Sequence, residues 1–436
     1  MKNNYSHIPF HPKRFPFFYG WAVFIFSSLG ILMSLPGQTM GVSAFTEHLI
    51  KSLNISRSDL TLAYMFGTLT SAFILPYAGR MFDRVGARVM AFAASCGLGI
   101  TLILLSFSDR VAGMLRDAGL GTFSLIAMMY VGFLMLRFWG QGVLTLSCRN
   151  MLMKWFDRKR GLVTGFSGPL VSLGFSVTPL ALHKLISMFG WQGAWFYLGL
   201  LALFGFSMLV LIFFRDNPED CGLLPDGEKP EDRAKKENNV EVRQYTLSEA
   251  RKTFPFWILG LTLALAGFVA TALPFHVVSI FKNAGMDQET AFSIFFYSSC
   301  ISISMNVVWG YLSDKIEVRY LLMVMLSGLV INSFALAFLA PGFMFYLLIA
   351  GMGFGGGLFG IMTNVPFPRF YGRTHLGAIN GFIMSMMVFS SAVAPWFFSK
   401  ILDFTGSYKY AALCCSVAAA MLLICSFKVK NPQATK

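Results

Sequence analysis

One stretch concentrates the residues that can do chemistry. Tyr130 to Gly168 reads YVGFLMLRFWGQGVLTLSCRNMLMKWFDRKRGLVTGFSG. It is an apolar, helix-length run with Arg137 near its middle, then a cationic cluster, then a Gly-rich apolar run. A guanidinium among Phe133, Leu134, Leu136, Phe138 and Trp139 costs at least about 3 kcal/mol where hydrocarbon surrounds it, so its presence there points to function. The chemistry open to it is recognition of a carboxylate, which the planar guanidinium fork grips through two parallel hydrogen bonds. Gln141 and Thr145 follow at i+4 and i+8 and extend a polar side of the same helix. An earlier apolar run contains Pro36-Gly37-Gln38. Proline breaks helical bonds, and irregular backbone at membrane depth is tolerated where it faces protein or water. Gln38 is therefore a second pocket candidate, with a simple kink as the alternative. For Arg137 the alternative is structural: bonds to carbonyls of neighbouring helices that help couple conformational change.

Groups that can move a proton are scarce. No Asp or Glu falls in the middle of an apolar run, and Glu47 and Glu289 sit at run ends. His183 and His276 lie toward the ends of theirs. His276 is a candidate for substrate or proton binding, against the commoner role of an interfacial histidine. A carboxylate substrate can instead bring its own proton, leaving Arg137 as the fixed charge. The run GMGFGGGLFG (351–360) lacks the Gly-Lys-Ser/Thr of a phosphate loop and is expected to be a close-contact or bending element. All of the seven cysteines except Cys221 lie in or beside apolar runs, as small hydrophobes do. Neither metal-ligand spacing nor a nucleophile motif appears in the runs. No cofactor, metal or catalytic residue is expected, and the chain is not read as an enzyme.

Membrane spans must position these residues. The 436-residue chain is 56% hydrophobic and 13% charged, with mean hydropathy +0.62, whereas a soluble globular chain carries about 25% charged residues. Apolar runs recur near 18–44, 59–79, 88–107, 122–148, 161–183, 193–214, 255–280, 290–312, 320–339, 343–367, 377–399 and 409–427. Each is close to the ~20 residues that cross a bilayer. They are too long and too little alternating for barrel strands. The fold class is an all-α membrane protein with twelve transmembrane helices. The first run reads as a full span, with no small-residue cleavage site after it. The net charge of +14 follows from cations gathered on one side, among them Arg80, Arg84, Arg88, Lys154, Arg158, Lys315, Arg319 and Arg369. That is the positive-inside pattern, not a nucleic-acid surface, and it puts both termini in the cytoplasm.

The polar stretch Arg215 to Thr253 divides the chain into a six-helix bundle over 1–214, a cytoplasmic linker over 215–254 and a second six-helix bundle over 255–436. Within it EDRAKKENNVEVR (231–243) has almost no apolar residue and is expected to be mobile. Thr246 and Glu249 have capping-box spacing and predict a short helix before the seventh span. The halves also repeat. GRMFDRVGAR (79–88), after the second span, returns as GYLSDKIEVR (310–319) after the eighth, with Gly86 replaced by Glu317. WFDRKRGLVTG (155–165) returns as FYGRTHLGAING (370–381), with one residue inserted. Parallel six-span halves put a substrate site near mid-membrane, between them. Gly79, Asp83, Arg84, Gly86 and Arg88 read as a latch acting through salt bridges and a helix N-terminus, or as a solvated turn. Asp314 and Arg319 are their second-half counterpart.

GRMFDRVGAR resembles the signature loop between helices 2 and 3 of the major facilitator superfamily, and RFWGQG (137–142) is similar to its Arg-bearing helix 4. KWFDRKRGLVTG (154–165), FGWQGAWFYLG (189–199) and NPEDCGLLPDG (217–227) resemble its monocarboxylate and oxalate/formate antiporter branch. The resemblance implies two pseudo-symmetric six-helix bundles and alternating access. The cargo it implies is a small organic anion, a monocarboxylate, moved by proton symport or anion exchange. In that branch a cation in helix 8, or in helices 8 and 11, usually grips the carboxylate. Here helix 8 offers Tyr297, Ser298, Ser299, Ser302 and Asn306, and helix 11 offers Asn380, Ser385 and Ser390. The anion-binding expectation therefore falls on Arg137, with Gln141, Gln38, Tyr297, Ser302 and His276 as further substrate-binding candidates. The alternative function is an exporter of amphipathic or drug-like compounds. The partners expected are the anionic substrate, membrane lipid and protons, with the protein a monomer in a bacterial inner membrane.

Overall fold

The computed structural model describes residues 7–228 and 243–434, so nearly all of the 231–243 segment lies outside the described residues. Among the described residues the regular structure is helical, without a strand. Ten helices are long and apolar enough to cross a membrane. One of them, Arg160–Phe213, is two helices run together across Gly190, whose φ of 70° and ψ of 169° are not helical. It is divided here into α5 (160–189) and α6 (191–213). The remaining span is the first, in which α1 (Gly20–Met33) gives way to a 3-10 turn, Leu35–Gly37, and a short helix, Thr39–Ser43. The others are α2 (Arg57–Val85), α3 (Ala87–Ser106), α4 (Thr122–Trp155), α7 (Phe254–Asn283), α8 (Gln288–Ser313), α9 (Val318–Ala337), α10 (Phe343–Tyr371), α11 (Leu376–Thr405) and α12 (Lys409–Ser426). The twelve apolar runs are thus the twelve helices of the fold. Large apolar side chains such as Phe73, Leu104, Phe123, Leu180, Phe343 and Phe404 stay exposed, as lipid-facing surface does.

Helix ends depart from the hydropathy. α2 continues to Val85, because GRMFDRV keeps helical bonding until Gly86, whose φ of 87° an L side chain rarely adopts. The expected loop at 79–88 is therefore mostly helix. The chain packs as two compact units. The first takes the described residues of Met1–Asp157, Leu170–Val240 and Asn380–Ser385, and the second those of Arg158–Pro169, Glu241–Ile379 and Met386–Lys436. The start of α5 thus packs with the second unit, and a short piece of α11 with the first.

In the first unit small residues let backbones approach. A Cβ on Gly67 of α2 would lie 2.8 Å from Leu134 N of α4, and one on Gly99 of α3 would lie 2.7 Å from Gly199 O of α6. The segment after α6 closes one end of this unit. Trp155 Nε1 donates to Arg215 O at 3.0 Å, Arg88 N to Asp216 Oδ1 at 2.8 Å, and Asp157 N to Asp226 Oδ2 at 3.1 Å.

In the second unit the glycine run on α10 has two working faces. Gly351 meets α9, where a Cβ would lie 2.5 Å from Asn332 N, and Gly355 packs on Gly328 of α9. Gly353 and Gly357 meet α8, where added Cβ atoms would lie 2.5 Å from Ile301 Cβ and 2.6 Å from Met305 Cβ. The run is a close-contact element, as its composition predicts. The short helix before α7 also forms, over Leu247–Ala250, with both capping-box bonds between Thr246 and Glu249 present.

Candidate functional site

α4 leaves α geometry at its chemistry-bearing stretch. Arg137–Leu144 is a π-helix, a form that occurs mostly as single-turn bulges, often at functional sites. This wide turn lies against the break in the first span. A Cβ on Gly37 would come within 2.5 Å of Leu136 O and 2.8 Å of Gly140 Cα, and one on Gly140 within 2.9 Å of Gly37 Cα. Two irregular backbones therefore meet glycine on glycine. Each is buried in protein, the condition under which such backbone survives at membrane depth.

Arg137 sits at this crossing and is 2% exposed. Its Nη1 donates to Gly37 O at 3.1 Å and to Thr39 Oγ1 at 3.3 Å. The cation thus holds the carbonyl end of the first helical segment, where the helix dipole favours positive charge. Its guanidinium carbon lies 5.3 Å from the centre of the Tyr64 ring, and Tyr64 Oη donates to Thr39 Oγ1 at 3.0 Å. Arg137 Nε is buried with no hydrogen-bond partner, and Nη2 makes no hydrogen bond among the described residues. The Nε–Nη2 edge is the side of the fork with bonding capacity left; Nε has no accessible surface in this conformation, so a carboxylate meets that edge only where the packing around it opens.

The neighbouring candidates gather here too. Gln38 is extended, with φ −86° and ψ 159°. Its Nε2 donates to Ser34 Oγ at 3.1 Å and to Thr145 Oγ1 at 3.4 Å, and Thr145 Oγ1 lies 3.1 Å from Ser34 Oγ. Gln141 is half-buried and its side chain makes no hydrogen bond among the described residues. Ser34, Thr39 and Tyr64 were not singled out from the sequence. Thr39 follows the Pro36-Gly37-Gln38 break directly, and that adjacency is the signal that finds it.

The candidates from the second unit separate. Ser302 lines a cavity of about 320 Å³ together with Ser298 and Ser299. Tyr297 is exposed and is not part of that wall. His276 has both ring nitrogens within hydrogen-bond distance of protein, Nε2 at 3.0 Å from Pro395 O and Nδ1 at 3.3 Å from Tyr408 Oη, and it stacks on Phe398. It knits α7 to the proline in α11.

The latch candidates follow the sequence repeats crosswise. Asp314, in the second copy of the first repeat, accepts from Gly161 N at 2.8 Å and Leu162 N at 2.9 Å, in the first copy of the second repeat. Its carboxylate caps the N-terminus of α5, which carries positive partial charge. Arg369 Nη2 lies 3.7 Å from Asp314 Oδ1, and Arg369 Nη1 donates to Ser313 O at 2.9 Å. A Cβ on Gly310 would lie 2.6 Å from Gly165 Cα. Reciprocally, a Cβ on Gly381 would lie 3.1 Å from Gly79 Cα. Arg319 pairs with Glu317 at 2.8 Å rather than with Asp314. Arg84 is exposed, and Gly86 turns against the Asp216 carboxylate, which takes the Arg88 amide.

A family model described as the Major Facilitator Superfamily matches residues 27–395 and 305–436. The chain is 27% identical over 365 residues to an uncharacterized MFS-type transporter, YhjX, of Escherichia coli (strain K12), with 80% of each chain covered. It is 23% identical over 448 residues to monocarboxylate transporter 2 of Rattus norvegicus, covering 94% of this chain and 83% of that one. A solved structure of the proton:xylose symporter XylE superposes with a TM-score of 0.70 at 14% identity, covering 94% of this chain and 95% of that one. That likeness concerns the fold.

Proposed function

The chain belongs to the major facilitator superfamily, and from that premise we propose that it moves a small organic anion, a monocarboxylate, across the membrane by alternating access. Its coupling is proton symport or anion exchange. The observation that carries this reading is the divided use of Arg137: one terminal nitrogen anchors the group to Gly37 and Thr39, and Nε is buried without a partner. A buried, unpaired donor on a charged group costs about 1–3 kcal/mol or more, which a carboxylate on the Nε–Nη2 edge relieves. Gln38 and Gln141 supply polar neighbours, and the resemblance to a monocarboxylate transporter agrees in substrate class. Asp314 and the α5 start form the latch that opens and closes in each cycle. Tyr297 and His276 stand outside this substrate site. The protein acts in the bacterial inner membrane with both termini in the cytoplasm.

The test is counterflow of labelled lactate, pyruvate and propionate into proteoliposomes with and without a pH gradient. Wild-type protein should accumulate at least one of these acids. Arg137→Gln should lose at least about a hundredfold in uptake, since two charge-assisted hydrogen bonds at roughly 1.5 kcal/mol each are removed. Accumulation of lipophilic cations with indifference to every acid would replace this reading with the exporter.

A further inference from the structure

Two stretches far apart in the sequence meet at one end of the second unit. One is the short helix Leu247–Ala250 with the residues on either side of it, and the other is the tail that follows α12. Gln433 Nε2 donates to Arg243 O at 2.8 Å, and Gln433 Oε1 accepts from Arg243 N at 3.1 Å. Tyr245 Oη donates to Pro432 O at 3.2 Å. Between Lys428 and Lys430, Val429 is buried at 1% exposure and holds the tail against the unit. Trp257 Nε1, in the first turn of α7, donates to Arg251 O at 2.8 Å and fixes the end of the short helix there.

This juncture carries charge of one sign. Arg251, Lys252, Lys428 and Lys430 are exposed, and the side chains of the three lysines make no hydrogen bond or ion pair among the described residues. Over 243–257 and 424–434 the single acid is Glu249, and it is committed to Arg243 at 2.9 Å and to the Thr246 amide at 2.8 Å. Exposed apolar side chains adjoin the cations in the chain: Phe254 and Trp257 where α7 starts, Ile424 and Phe427 where α12 ends. Aromatic rings at a span's end lie at headgroup level, so phosphate can meet the cations while acyl chains lie on the rings. An acidic protein would use the cations and not the lipid-facing rings. The first unit spends its cations differently where α6 ends. There Arg215 Nη1 donates to Phe214 O at 2.7 Å and Arg88 Nη2 to Ile8 O at 2.9 Å.

We propose that this juncture is a binding site for anionic phospholipid, with the headgroup phosphate held by Arg251, Lys252, Lys428 and Lys430 and the acyl chains on the neighbouring rings. Basic clusters immediately outside a span attract anionic lipid in this way. The same two stretches brace the turn before α11. Gln244 Oε1 accepts from Arg373 N at 2.8 Å and from Thr374 N at 3.0 Å, and Gln433 Nε2 also donates to Phe370 O at 2.9 Å. A lipid that holds the short helix and the tail together therefore steadies the entry to α11.

The experiment titrates the full-length protein in neutral detergent with phosphatidylglycerol or with phosphatidylcholine of the same acyl chains, reading Tm, since a ligand of the folded state raises it. Phosphatidylglycerol should stabilise wild type and phosphatidylcholine should not. The effect should weaken as salt rises from about 0.05 to 0.5 M, because exposed charges are screened. Each basic residue near an anionic lipid surface is worth roughly fivefold in affinity. Changing Arg251, Lys252, Lys428 and Lys430 together to Gln should therefore weaken the apparent affinity at least about a hundredfold. Lys428→Gln with Lys430→Gln, both in the tail, should weaken it at least about tenfold. Lys13→Gln with Arg14→Gln, exposed cations of the first unit, should leave it unchanged. Equal stabilisation by the two lipids, or an affinity that the Gln variants retain, overturns the proposal. So does an equal loss in the Lys13 and Arg14 variant, which would mark general charge attraction. Stabilisation by glycerol 3-phosphate as strong as that by the lipid would mark a site for a soluble anion and would overturn it too.

Discussion

Arg137 and Asp314 show how single charged residues are kept inside this chain by division of labour. Arg137 spends one nitrogen on a helix end, and Asp314 spends both oxygens on another. Asp314→Asn keeps the shape and loses one acceptor and the charge. A helix cap is worth about 1 kcal/mol, so Tm should fall by a few degrees. Under the proposed cycle the capped form is one of its states, so turnover should change more than substrate affinity, which radiotracer uptake over a range of substrate concentrations resolves. An unchanged maximal rate would remove Asp314 from the latch. His276 carries the opposite expectation. Its bonds run to Pro395 and Tyr408, so His276→Phe should lower Tm while leaving the pH profile of uptake unchanged. A shifted profile would return His276 to the proton path.

At the scale of elements, the glycines of α10 are not interchangeable. Gly357→Ala drives a methyl to 2.6 Å from Met305 Cβ and 2.9 Å from Ser302 O, whereas Gly360→Ala meets only Asn306 Nδ2 at 3.7 Å. Overpacking costs about 1–3 kcal/mol, so the first should lower Tm in detergent and the second should leave it level or raise it. The Leu247–Ala250 helix offers a pH test. Hydrogen bonds from the Thr246 amide, then from its hydroxyl and from Arg243, hold the Glu249 carboxyl down to about 2. A depressed carboxyl stabilises what it caps above its ordinary value of 4.5 and loses that contribution as pH falls through about 2. Hydrogen-exchange protection of 246–250 should therefore hold from pH 7 to below 4.5, and Thr246→Ala should move its loss up toward 4.5. Other elements gave no advance sign. A π turn has no residue signature, and hydropathy marks where hydrocarbon ends rather than where helical bonding stops, which is why α2 and α4 outrun their apolar runs.

At the scale of the whole molecule, the spans were readable because crossing a bilayer demands about 20 apolar residues whatever the sequence. The repeats were readable because Gly and Asp recur wherever backbones touch or a helix start is capped. What pairs with what was not. The sequence aligns Asp314 with Asp83 and Arg319 with Arg88, but does not say that Asp314 caps α5 and Arg319 pairs with Glu317. Arg137 was legible for its cost in hydrocarbon, and its divided use was not, for that depends on a break in another helix. The most direct check is equilibrium binding of labelled propionate at pH 7.5, where the acid is ionised, to purified wild type and Arg137→Gln. Saturable binding that falls at least about a hundredfold in the variant, measured on protein that still unfolds cooperatively, is the result expected from two lost charge-assisted bonds to the substrate. Equal affinity in the two proteins would contradict the account.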